Sequence, residues 1–156
     1  MDTPTALSAA ALGWVAGMRS MTAPALTAAA LGSRQRQTPA RQLSSPLAQR
    51  LFAFAAAGEM VGDKLPMTPS RTDAMPLAGR IGSGALVGAA VAAARGHSRI
   101  GGALVGSAAA LASSFVMERA RARVGEATGT PDPVVAVAED VLTVVVGSAA
   151  AGAVRR

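Results

Sequence analysis

The chain has 156 residues, 51% apolar but only 3% aromatic, with no cysteine and a formal charge of +6. Its length suits one compact unit, and the missing cysteines exclude disulfides and thiolate metal sites. The positive charge with almost no base-stacking aromatics argues against nucleic acid and for an anionic membrane surface, because the arginines fall between apolar runs.

Ala and Gly supply much of the apolar content, and β-branched residues are sparse before the C-terminal region. The composition predicts an all-α chain, a single helical membrane domain over 1–156. The first apolar segment, about 5–32, is interrupted by Gly17-Met18-Arg19-Ser20-Met21-Thr22-Ala23-Pro24. Gly17 and Pro24 weaken a continuous helix, and Ser20 or Thr22 is placed to cap a second half-helix. Either a kinked span or a broken, re-entrant helix puts Arg19 near its middle. An arginine at bilayer depth costs on the order of 3 kcal/mol, so it should face a partner or a wet cavity. The start of the chain lacks the basic region of a signal peptide.

Residues 33–50 are basic and polar and read as a loop, with Pro46 starting a helix over about 46–64. Pro66, Pro69 and Pro76 mark a rigid connection. Helices follow at about 76–95, 100–118 and 133–154. Gly84-Ala85-Leu86-Val87-Gly88 recurs as Gly102-Ala103-Leu104-Val105-Gly106, two small-xxx-small units that allow close helix packing in lipid. Ile100 to Met117 is uncharged and long enough for a span. Glu118 and the arginines after it read as the end of that helix, and 125–132 as a polar loop.

The chain is organised around Gly58-Glu59-Met60-Val61-Gly62-Asp63-Lys64-Leu65-Pro66. Glu59 and Asp63 are spaced to share a helix face, and Lys64 is the only lysine. Glu139-Asp140 lies between apolar runs, which points to a buried acidic pair rather than a solvated face. The plainer alternative leaves Asp63 and Lys64 in water at a helix end and starts the last apolar run only after Asp140. The lone His97 sits between Arg95 and Arg99 and reads as a solvated loop residue.

Three segments carry a resemblance. Gly17-Met18-Arg19 leading to Pro24 matches a Gly-aromatic-Arg…Pro pattern, with Met18 at the aromatic position. Glu59-x-x-x-Asp63-Lys64-x-Pro66 matches Glu…Ala-Asp-Lys-Ile-Pro. Thr128-Gly129-x-Pro131-x-Pro133…Glu139-Asp140 matches Thr-Gly…Asn-Pro…Glu-Asp, with Asp132 at the Asn position. In order and spacing the chain resembles the family of domain of unknown function 4126, small bacterial multi-pass membrane proteins. The resemblance implies a helical membrane protein and no established activity. The stretch from Glu59 to Lys64 is also similar to the Glu-x-Gly-Asp-Lys motif of a family of cation/proton exchangers, with one residue inserted and one copy in place of two.

The architecture expected is an integral membrane bundle of four to five spans, its first helix broken near Arg19. The residues expected at depth are Glu59, Asp63, Glu139 and Asp140 as an ion or proton site, with Arg19 and Lys64 as counter-charges. Four acids against two bases would favour a protonated carboxylate or a bound cation. The first functional expectation is a transporter- or channel-like bundle. The alternative is a structural or interaction protein whose charges fix packing, Arg19 pairing with Glu59 or Glu139 and Lys64 with Asp140. No nucleophile has a base beside it, so neither an enzyme nor a cofactor is expected. The expected partners are the lipid bilayer, a cation or proton and a second copy of the chain, with no nucleic acid. The chain is expected in the plasma (inner) membrane, and arginine counts favour a cytoplasmic C-terminus; five spans would put the N-terminus outside, a re-entrant first segment would not.

Overall fold

The computed structural model describes residues 1–32, 35–62, 73–129 and 132–154. The described chain is helical, with no strand: α1 (Thr3–Met18), α2 (Thr22–Ala30), α3 (Ala40–Leu43), α4 (Pro46–Gly62), α5 (Ala74–Ala94), α6 (Arg99–Thr128) and α7 (Asp132–Val154). Of these, α5, α6 and residues Val134–Val154 are long and apolar enough to cross a membrane. Large apolar side chains face outward, among them Phe54 on α4, Ile100 and Leu104 on α6, and Val141 and Val145 on α7. Apolar surface on this scale suits lipid better than water.

α1 starts where Asp2 accepts the Thr5 N–H at 3.0 Å, with Pro4 in the first turn. The first segment then breaks for a local reason. In a continuous helix the Pro24 ring would collide with the carbonyl of Ser20, four residues earlier. Arg19 accordingly turns extended (φ −142°, ψ 113°), and helix resumes at Thr22.

The two halves do not continue along one axis. The first turn of α1 and the end of α2 both lie beside Arg95, at the α5–α6 connection. Leu31, just past α2, packs with Ala90 and Ala93 of α5. Thus α1 runs in and α2 runs back, forming a hairpin whose tip is Arg19–Met21. Gly147 of α7 sits between the arms, against Val15 of α1 and Leu26 of α2. The last turn of α7 shares Arg95 with the first turns of α1, through Ala153 and Ser8. Both ends of the described chain therefore lie at one end of the bundle. At 1.5 Å per residue, sixteen-residue α1 places the tip about 24 Å from that end.

α1, α5 and α6 form the core. A Cβ built on Gly84 would lie 2.5 Å from the Gly106 carbonyl oxygen, and one on Gly88 would fall on that of Gly102. Gly13 and Gly17 bring α1 equally close to Gly106 and Ala110. The helices thus touch backbone to backbone, where dispersion rather than the hydrophobic effect holds apolar helices together in lipid.

Several boundaries differ from the sequence expectation. α6 continues ten residues beyond 118, because Glu, Arg and Ala from Glu118 to Ala127 are strong helix formers. Charge there ends an apolar stretch, not a helix; Gly129, left-handed at φ 63°, ends the helix. α5 begins at Ala74, so Pro76 falls within its first turn, where a missing N–H costs nothing. The expected loop 33–50 contains the short α3, whose Ala40 and Leu43 are buried.

Candidate functional site

The hairpin tip exposes two sets of unsatisfied backbone groups: carbonyls at the end of α1 and N–H groups at the start of α2. Each set meets side chains from other helices. Ser113 Oγ donates to Trp14 O at 2.7 Å. Ser114 Oγ and Arg80 Nη1 each donate to Gly17 O at 3.3 Å. The Ser20 carbonyl, which Pro24 denies to the helix ladder, accepts from Ser83 Oγ at 2.5 Å.

The N–H side is taken by one carboxylate. Glu59 Oε1 accepts the Ser20 N–H and the Ser20 hydroxyl, both at 2.7 Å, and Glu59 Oε2 accepts the Met21 N–H at 2.8 Å. This anion stands at the positive end of α2. Neither Ser20 nor Thr22 caps the half-helix through its own side chain; α4 supplies the acceptor instead. The reason is reach: the last turns of α4 run alongside the start of α2 and deliver a longer side chain.

Arg19 is fully buried and forms an ion pair with Asp140 of α7. Glu139, also buried, lies 3.9 Å from Arg121 of α6. Thr143, one turn on, returns its hydroxyl to the Glu139 carbonyl. A buried guanidinium is tolerable only when it is paired, and Asp140 supplies that pairing for Arg19.

The structure thus brings Arg19, Glu59, Glu139 and Asp140 to one level. Asp63 and Lys64 lie outside the described residues. The pairing differs from the expected one: Arg19 meets Asp140, while Glu59 meets backbone and hydroxyl donors. Arg80, 4% exposed, and Arg121, beside Glu139, join the site. Neither Arg80 nor Arg121 was singled out from the sequence. The signal for Arg80 was Pro76: a proline in a first turn puts residue 80 a full turn inside the helix. Ser113-Ser114, a polar pair inside an uncharged run, was equally visible. No group of three or more His, Asp or Glu side chains able to hold a metal ion occurs among the described residues.

The packing glycines Gly84, Gly88, Gly102 and Gly106 lie on the seam between α5 and α6, on the end-side of the tip. His97 is remote from it; its Nε2 is 3.3 Å from Asp2 Oδ1 at the far end of α1.

Neither the curated proteins nor the solved structures compared with the chain give a match. A family model does, over residues 6–153, and that span contains the broken helix, Glu59 and the Glu139-Asp140 pair. With the model covering nearly its whole length, the chain belongs to the family described as Domain of unknown function (DUF4126).

Proposed function

We propose that the protein is a transporter- or channel-like membrane bundle in which the hairpin tip is a proton-responsive gate. The observation that carries this is the three-donor grip on Glu59 at the opening of α2. Irregular backbone at membrane depth is tolerated where it is buried in protein or lines a path, and broken helices are the usual frame of transport sites. Glu59 accepts all three bonds as an anion. A proton on either oxygen removes the charge that α2 attracts and turns one acceptor into a donor, so the grip loosens. Arg19–Asp140 and Arg121–Glu139 stay as fixed compensation on the α7 side.

The topology this supports is four spans, α4 to α7, with α1–α2 entering from the side that holds both ends of the chain. Arg36, Arg41, Arg95 and Arg99 lie at that end, which favours its being cytoplasmic in a plasma (inner) membrane.

The test is flux through liposomes of the purified full chain under proton and monovalent cation gradients. Glu59→Gln, fixed in the uncharged form, should change the flux and flatten its pH dependence. No flux under any gradient, for both proteins, would refute the gate.

The pairing of Arg19 with Asp140 and of Arg121 with Glu139 favours a second reading, in which the network only fixes packing and the protein serves as a membrane interaction partner. A paired swap, Arg19→Asp with Asp140→Arg, that restores folding and cellular function would select it.

A further inference from the structure

We propose that the end of the bundle remote from the hairpin tip binds an anionic phospholipid, its phosphate on Arg95 and an acyl chain in the cleft between α1 and α7. Arg95 caps α5 and is half-buried. Its guanidinium donates to Ser8 Oγ at 3.2 Å and to Ala153 O at 2.7 Å, both neutral acceptors. No carboxylate pairs with it among the described residues. The nearest acid on that wall, Asp2, is engaged by the Thr5 N–H and by His97. A half-buried cation without a counter-ion is costly, and an incoming anion relieves that cost.

Arg95 also stands between two clefts. One, of about 650 Å³, is walled by Leu7, Ala11, Ala150 and Ala153 with Arg95 and Asp2 at its polar rim. The other, of about 460 Å³, lies against Ala29, Leu31 and Val154. The larger falls within the range of roughly 300–1,000 Å³ that holds small ligands. Its walls are apolar along the helices and cationic at the mouth, the polarity of an amphiphile with an anionic head. The depth agrees: the candidate spans end at Ala94 and Val154 and begin at Arg99, so Arg95 lies at headgroup level. A guanidinium there can grip a phosphate with two parallel N–H bonds. Arg99, exposed and donating to Thr38 O, adds charge to the same end without lining either cleft.

The experiment uses the full chain in detergent, exchanged into equal amounts of phosphatidylglycerol and phosphatidylcholine. Retained lipid is counted by native mass spectrometry and thermal unfolding is followed in parallel. Phosphatidylglycerol should be retained roughly five-fold over phosphatidylcholine, the effect of one basic residue at a lipid surface. It should also raise the unfolding temperature, whereas glycerol 3-phosphate alone should not. Arg95→Gln should abolish the preference, and Arg99→Gln should keep it. Leu7→Trp narrows the cleft from an exposed position, so it spares the fold and should lower retention with Arg95 intact. Equal retention of the two lipids by the unaltered protein, or a preference that survives Arg95→Gln, would overturn the proposal. Equal stabilisation by glycerol 3-phosphate would replace it with a free-anion site.

Discussion

At the scale of single residues, Arg19 and Asp140 are each other's reason for being buried. Removing one partner leaves the other charge in the apolar interior, at a cost of about 3–5 kcal/mol. Arg19→Leu should therefore unfold the chain in mild detergent, and Asp140→Asn should be nearly as damaging. An Arg19→Leu, Asp140→Leu double variant should recover most of the loss in thermal unfolding, because both desolvation costs disappear together. Asp2 illustrates the opposite situation, a charge in water. Hydrogen bonding from Thr5 holds the Asp2 carboxyl below its ordinary value of 3.8, with His97 adding a smaller pull. A depressed carboxyl contributes stability that is complete above 3.8 and is lost as pH falls through the lower folded value. The Thr5 amide resonance should accordingly titrate with a midpoint below 3.8, and Asp2→Asn should abolish that titration.

At the scale of elements, the glycines of α5 separate by face. Gly82 has open space around a would-be Cβ, whereas one on Gly84 meets the Gly106 carbonyl at 2.5 Å. Gly82→Ala should be neutral or stabilise by up to about 1 kcal/mol, the helix-propensity gain. Gly84→Ala forces two backbones apart and should destabilise by roughly 1–3 kcal/mol. Thermal unfolding of the two variants side by side checks both. The same face logic explains why the repeated Gly-Ala-Leu-Val-Gly units meet antiparallel, Gly84 with Gly106 and Gly88 with Gly102. Gly17 was legible as a helix weakener and as the start of the Gly-aromatic-Arg…Pro pattern. Its second role, admitting α6 against α1, depends on a neighbour more than ninety residues away and has no local signature.

At the scale of the whole molecule, the hairpin decides topology. A chain without cysteine accepts single reporters cleanly. Thr3→Cys and Arg99→Cys should be labelled by an impermeant maleimide from the same side of the membrane, and Ala127→Cys from the other. Labelling of Thr3→Cys with Ala127→Cys would require a through-going first segment. The helical class, the apolar runs and the burial of Glu139 and Asp140 were legible from composition and spacing, since these depend on residues near in sequence. So was Pro24 as a weakener of the first helix. Whether α1 and α2 continue or fold back is not a local property; it follows from α7 wedging Gly147 between them and from Arg95 gathering Ser8 and Ala153. The pairings followed the same division. Residue pattern alone gave the all-helical class and set charges between apolar runs. That Glu59 caps a half-helix, that Arg19 takes Asp140 and that Arg80 and Arg121 join them followed from the fold, because partner choice depends on which helix faces arrive at the same level.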